Sequence, residues 1–166
     1  MDEATFWKLI EEAKAEMTPA SSNQPEILQK KLEALQPPKI VEFDQMFTRL
    51  IDDAYSWDLW AAAYIIEGGC SDDGFRDFRA GLIGLGRDVY YAALTDPNTL
   101  ARQPTRGVDF SQEGMLYAAT QAYEAVTGNE MPDHELPQRE EPLGEQWEEG
   151  TVADKYPELA AKFGSS

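Results

Sequence analysis

Trp57-Asp58-Leu59-Trp60-Ala61-Ala62-Ala63-Tyr64-Ile65-Ile66-Glu67-Gly68-Gly69-Cys70-Ser71-Asp72-Asp73-Gly74-Phe75-Arg76-Asp77-Phe78-Arg79 is the stretch on which the fold turns. Its first ten residues are rich in alanine and apolar on several sides, the pattern of a central helix covered by its neighbours. Gly68-Gly69 stops that helix. Ser71 then offers an N-cap, with Asp72 and Asp73 in the first turn, where the helix dipole favours negative charge. Phe75, Phe78, Leu82 and Leu85 give the second helix a buried side.

The same three- and four-residue spacing extends outward. Phe6, Leu9, Ile10, Ala13 and Met17 make one stripe, broken at Thr18 to Ser22. Ser22 or Asn23 can cap a second helix with Pro25 in its first turn and Ile27, Leu28, Leu32 and Leu35 on one side. Pro37-Pro38 opens a third, where Ile40, Phe43, Phe47, Leu50, Ile51 and Ala54 form the cleanest amphipathic stripe. Downstream, Gly86 can end the helix of Phe75, and Asp88 to Leu94 reads as a short helix closed by Asp96-Pro97. Asn98 to Asp109 carries loop signals. A seventh helix follows, with Met115, Ala118, Ala119, Ala122 and Val126 on one face and Gly128 after its end. Strand alternation is missing throughout, so the expectation is an all-α domain of about six to seven helices over residues 1–128.

From Asn129 the character changes. Pro132, Pro137, Pro142, Gly144 and Gly150 forbid a long helix, and eight acidic residues face only Arg139. Leu136, Leu143 and Trp147 interrupt the charge, and Tyr156, Leu159 and Phe163 follow in a short helical pattern. Residues 129–166 are therefore read as an irregular acidic arm pinned to the body by its apolar residues, with a short terminal helix.

At 166 residues, 42% hydrophobic and 11% aromatic, the chain can build one core. Cys70 is its single cysteine, which rules out an intrachain disulfide. The acidic start Met1-Asp2-Glu3 is unlike a secretory signal, and the longest apolar run, Leu59 to Ile66, is far short of a bilayer span. A cytoplasmic protein is expected. The net charge of −17, with a pI near 4.3, repels nucleic acid and anionic membranes and attracts basic partners. Net negative charge also simply keeps a small protein soluble.

Residues 57–79 hold the densest polar and aromatic set. Free amides at the second helix start, with Arg76 and Arg79 one turn on, would make an anion or carboxylate pocket. The candidate ligand-binding residues are Trp57, Asp58, Tyr64, Asp72, Asp73, Arg76 and Arg79. The structural alternative has Asp72 and Asp73 capping the helix or pairing with Arg76, and the aromatics packed as core. No catalytic residue, metal site or cofactor is assigned. His134 is the single histidine, which excludes a multi-histidine metal site and disfavours a histidine triad. Cys70 lies near a helix start, where a thiol can be activated, yet no base accompanies it. Gly81, Gly84 and Gly86 read as close helix contacts rather than a nucleotide fingerprint.

Phe6-Trp7-Lys8-Leu9-Ile10, the block from Trp57 to Arg79, Gly86-Arg87 with Tyr90, Asp96-Pro97 with Leu100, and the helix from Tyr117 to Gly128 together resemble a bacterial family. It is known only as domain of unknown function number forty-two forty. The resemblance covers roughly residues 1 to 130, and its most specific stretch is Gly-Gly-Cys-Ser-Asp-Asp-Gly-Phe, residues 68–75. It implies a bacterial origin and one compact domain, and nothing about chemistry.

The leading expectation is a non-enzymatic interaction or regulatory protein that meets a basic partner through its acidic surface. An immunity-type inhibitor of a basic toxin or a nucleic-acid mimic would be special cases. The alternative is a small-ligand-binding domain or an enzyme with a cleft around residues 57–79. A homo-oligomer built on an apolar helical face is a third.

Overall fold

Pro37–Asp53 is the longest helix (α3), and it organises the rest. The structure is a computed structural model that describes residues 1–104 and 108–164. Glu3–Ala15 (α1) begins where the Asp2 carboxylate accepts from the Thr5 amide, and Gln24–Glu33 (α2) where Asn23 does the same for Glu26. Trp57–Glu67 (α4) is capped by Ser56 and ends at Gly68 in the left-handed region, φ 71°. Ser71 caps Asp72–Gly84 (α5), so the hydroxyl, not Asp72 or Asp73, serves the free amides. Arg87–Thr95 (α6) and Ala118–Thr127 (α7) complete the body, and Val152–Lys155 (α8) and Pro157–Phe163 (α9) end the chain.

Among the described residues eight α-helices have seven residues or more, somewhat above the six to seven expected: seven lie within residues 1–128, and the eighth is the short terminal helix around Leu159. Three local readings also change. Pro97–Arg102, expected as loop, is a 3-10 helix opened by Asp96 at its N-cap, while residues 105–107 of that stretch lie outside the described residues. The seventh helix is split: Glu113–Leu116 is 3-10 and α7 starts only at Ala118; Val126, expected on the buried face, lies near its end and is exposed. Gly86 starts α6 rather than ending α5, at φ 108°. Among the described residues there is no strand, only two isolated bridges.

The core runs through all the layers. Phe6 stacks on Phe43 at 4.6 Å and meets Trp7 edge-on at 5.1 Å, tying α1 to α3. α2 lies against α1 and α7, α7 against α3, and α4 against α8 and α9. Burial of this many apolar side chains is the main stabilising term. At Gly81, in the middle of α5, an added Cβ would sit 2.2 Å from the Phe110 carbonyl oxygen. A side chain there would push the 108–112 segment off the helix. Gln24 is buried (2% exposed) and spends its amide well: Nε2 donates to the carbonyls of Gly84 (2.8 Å) and Ile10 (3.4 Å), and Oε1 accepts from Gln112. No helix among the described residues is long and apolar enough to cross a membrane.

Candidate functional site

Residues 129–150 form no helix, and polar and backbone contacts hold them as much as apolar ones do. His134 Nε2 lies 2.6 Å from the Asp44 carboxylate on α3. The backbone amide of Arg139 donates to Asp52 Oδ1 at 2.7 Å, and its guanidinium donates to the Asp52 carbonyl at 2.5 Å. Leu143 exchanges backbone hydrogen bonds with Tyr55 (3.0 Å) and Trp57 (2.8 Å), while its side chain is half-exposed. Trp147 lies on the aromatic face of α4. Arg139, the one cation expected to offset the acidic run, is thus turned toward α3.

Backbone amides serve the C-terminal carbonyls of α3 only in part: Ala54 donates to Leu50 and Asp52, and Tyr55 to Asp52. Three side chains reach them. Tyr90 on α6 donates to Leu50 at 2.6 Å, Arg79 on α5 to Ile51 at 2.7 Å, and Arg139 to Asp52. Cations at this end also meet the negative pole of the helix dipole. Beside this junction opens a cleft of about 270 Å³, whose lining includes Asp72, Asp73, Arg76 and Arg79 together with Asp44, Asp52, Arg139 and Glu140.

Arg79 is its most unusual member. The residue is 6% exposed, its guanidinium carbon lies 4.5 Å from the Tyr55 ring centroid and 4.7 Å from that of Phe75, and no carboxylate among the described residues comes within ion-pair distance. Burial lowers its pKa to about 10. Asp72 accepts a hydrogen bond from the Tyr55 hydroxyl at 3.0 Å. The expected Asp72–Arg76 or Asp73–Arg76 pair does not form among the described residues.

Trp57 and Tyr64 belong elsewhere. With Trp60 and Trp147 they line a second, open hollow of about 540 Å³ on the outer face of α4, rimmed by Gln146, Glu148 and Glu149. None of the four rings is fully buried, so the core reading of these aromatics is only half right. Trp57 and Trp60, three residues apart, stack in parallel at 5.1 Å, and Trp147 stands nearly perpendicular to both, at 86° and 83°. Tyr64 donates to Glu149 Oε1 at 3.2 Å. Asp58 points away from both hollows to an ion pair with Lys155 at 3.0 Å. The seven sequence candidates therefore divide three ways: Asp72, Asp73, Arg76 and Arg79 share the cleft, Trp57 and Tyr64 share the hollow, and Asp58 stands alone.

Cys70, beside the hollow, has its thiol pushed up to about 11, first by burial and then by Glu67 and Asp77, the opposite of an activated nucleophile. Burial likewise raises the Asp44 carboxyl, against the pull of His134. Among the described residues no three His, Cys, Asp or Glu side chains come together as metal ligands would. Asp44, Asp52, Arg139 and Trp147 were not among the sequence candidates. They join these sites only through pairings many tens of residues apart, which leave no local spacing to read.

The fold described here is that of a small all-α protein with two surface hollows. A family model described as a protein of unknown function, DUF4240, matches residues 1–125, and the chain belongs to that family. Neither the curated proteins nor the solved structures contain a match.

Proposed function

We propose that the protein is a non-catalytic binding protein that meets a basic partner through the acidic face carried by residues 129–150. One observation carries the reading. Asp133, Glu135, Glu140, Glu141, Glu145, Glu148 and Glu149 are all exposed, on a segment tied down at His134, Arg139, Leu143 and Trp147. A charged segment already held in place loses little entropy on binding and can be selective, where a free acidic tail would attract any cation. The division into a helical body, 1–128, and an acidic arm, 129–166, belongs to the same reading. So does a bacterial, cytoplasmic setting, which suits a lone unactivated thiol.

Binding to a panel of basic proteins at about 0.15 M salt, where exposed charges more than ~8 Å apart are screened, tests it. Selective binding that falls in the triple variant E140Q/E141Q/E145Q supports the proposal. Weak, unselective binding that disappears at that salt overturns it.

The cleft favours a second reading, a site for a small anion, because Arg76 and the buried Arg79 line it and no carboxylate among the described residues pairs with Arg79. Thermal shifts with a panel of carboxylates and phosphates, lost in Arg76→Ala, would support it. A flat panel would dismiss it.

A further inference from the structure

The hollow on α4 has a composition that neither the core nor a solvated surface needs. Phe6, Phe43, Phe75 and Phe78 show how this fold treats aromatics that serve packing: they are fully buried. Trp57, Trp60, Tyr64 and Trp147 instead remain partly open around one depression. The Trp147 Nε1 atom is buried without a hydrogen-bond partner among the described residues, and the indole packs against the rings of Trp57, Trp60 and Tyr64. Glu148 and Glu149 follow Trp147 directly and line the same depression, with one oxygen of Glu149 positioned by the Tyr64 hydroxyl.

Aromatic faces and carboxylates have one kind of ligand in common. The ring quadrupole attracts a cation, and a carboxylate pairs with it. A guanidinium fits such a surface better than an ammonium, because it is planar, weakly hydrated and forks onto carboxylates. The fold already lays one guanidinium on aromatic rings, Arg79 over Tyr55 and Phe75, although no carboxylate among the described residues pairs with it there.

We infer that this hollow receives an arginine side chain of the basic partner, the guanidinium lying against the indole rings and paired with Glu148 and Glu149. The inference rests on the basic-partner reading and gives it an anchor point. Interface energy concentrates in buried aromatic and arginine contacts, so one such pocket would carry much of the selectivity that dispersed carboxylates lack.

The test uses the full chain labelled with 15N and three small probes: the Nα-acetyl amides of arginine, lysine and citrulline. The indole N–H signals of Trp57, Trp60 and Trp147 report on the hollow. Trp7, buried in the core with its Nε1 donating to Glu3, is the internal control. Arginine amide should shift the three signals and leave Trp7 still, with an affinity on the order of tenfold above its neutral citrulline isostere. E148Q/E149Q should remove most of that difference while the far-UV spectrum stays unchanged. Equal titration by arginine and citrulline, or an unaltered response in E148Q/E149Q, overturns the inference.

Failure here is distinguishable from failure of the broader reading. Basic proteins that bind while the indoles ignore arginine amide leave the acidic face standing and remove the hollow as its anchor. The reverse result keeps the hollow as an arginine site and removes the acidic-face reading.

Discussion

Arg79 and Ile51 are joined across the fold: the guanidinium Nη1 on α5 donates to the Ile51 carbonyl in the last turn of α3 at 2.7 Å. The same group packs over Tyr55 and Phe75. One side chain therefore satisfies a helix end, opposes a helix dipole and fills space that an aliphatic residue could occupy only in part. This also explains how a buried cation persists with no carboxylate in contact among the described residues, since carbonyl dipoles and ring faces share its charge.

Arg79→Met keeps the volume and deletes the donor and the charge. The Ile51 carbonyl is then left near the core without its partner, and a hydrogen bond from a charged group contributes about 1.5–3 kcal/mol. Urea unfolding should show a stability lower by that amount, read as a lower midpoint with an unchanged slope. Arg79→Lys should fall between the two, since an ammonium keeps charge but loses the planar stack. A wild-type midpoint in Arg79→Met would show that the contact is dispensable.

Gly81→Ala should be among the most damaging single methyl additions in the chain. The new Cβ would lie 2.2 Å from the Phe110 carbonyl oxygen and 2.6 Å from its carbon, and backbone cannot swing aside as a side-chain tip can. Overpacking of this kind costs about 1–3 kcal/mol or more, against the small gain from replacing glycine within a helix. Gly150→Ala, with no atom within 4 Å of its Cβ, is the matched control and should leave the melting temperature unchanged or slightly raised. Comparable melting temperatures for the two variants would contradict the close approach of α5 to Phe110.

Alkaline pH should unfold the protein through its tyrosines. Tyr90 is fully buried with its hydroxyl on the Leu50 carbonyl, and burial raises its pKa above the ordinary value of 10.0. Tyr91 is raised to about 12, by burial first and then by its hydrogen bond to Glu3. The folded state therefore holds these protons more tightly than the unfolded chain does. Their stabilising contribution is whole below about pH 10 and is lost as pH rises through the folded values. Phenolate absorbance should report these two residues together with the loss of helical signal. In Tyr90→Phe the alkaline limb should be shallower, and stability near neutral pH lower by about 1 kcal/mol for the lost cap. Early ionisation of Tyr90 in the folded protein would refute its burial, and early ionisation of Tyr91, which is partly exposed, would refute its hold by Glu3.

Most helices were legible because each is written locally. The stripe from Ile40 to Ala54 forms α3, Asn23 and Ser71 cap as their types suggest, and Gly68 and Gly128 end their helices in the left-handed region. The breaks between 97 and 117 were less so, since a 3-10 turn opened by Asp96-Pro97 looks like any loop. The sites were least legible of all. Arg139 finds Asp52 87 residues away and Tyr64 finds Glu149 85 residues away, and such pairs have no period. The stretch 57–79 is the richest in polar and aromatic residues, and that much is plain from the sequence. What it could not reveal was that α4 and α5 present those residues to two different depressions, because only the return of residues 134–149 across the helices divides them.

Helix α9 belongs to the core, although the family match stops at residue 125. Leu159 on α9 is fully buried within the main apolar cluster, and Phe163 meets Phe110 edge-on at 5.5 Å. Leu159→Ala removes a branched side chain from a closed site, where such truncations cost about 2–5 kcal/mol. Its effect should therefore resemble that of a core mutation such as Leu32→Ala rather than that of a change in a tail, and thermal unfolding should show one transition at lower temperature. A chain ended at residue 128 should do worse. It strips Trp147 from Trp57 and Trp60, leaves the Leu159 socket open against α4, and removes Arg139 from the Asp52 carbonyl. An exposed apolar patch of that extent drives association. The expected result is a soluble full-length protein and a truncated one that aggregates or binds a hydrophobic dye. A truncated chain that is monomeric and as stable as the full one would show the helical body to be complete without its terminal helices.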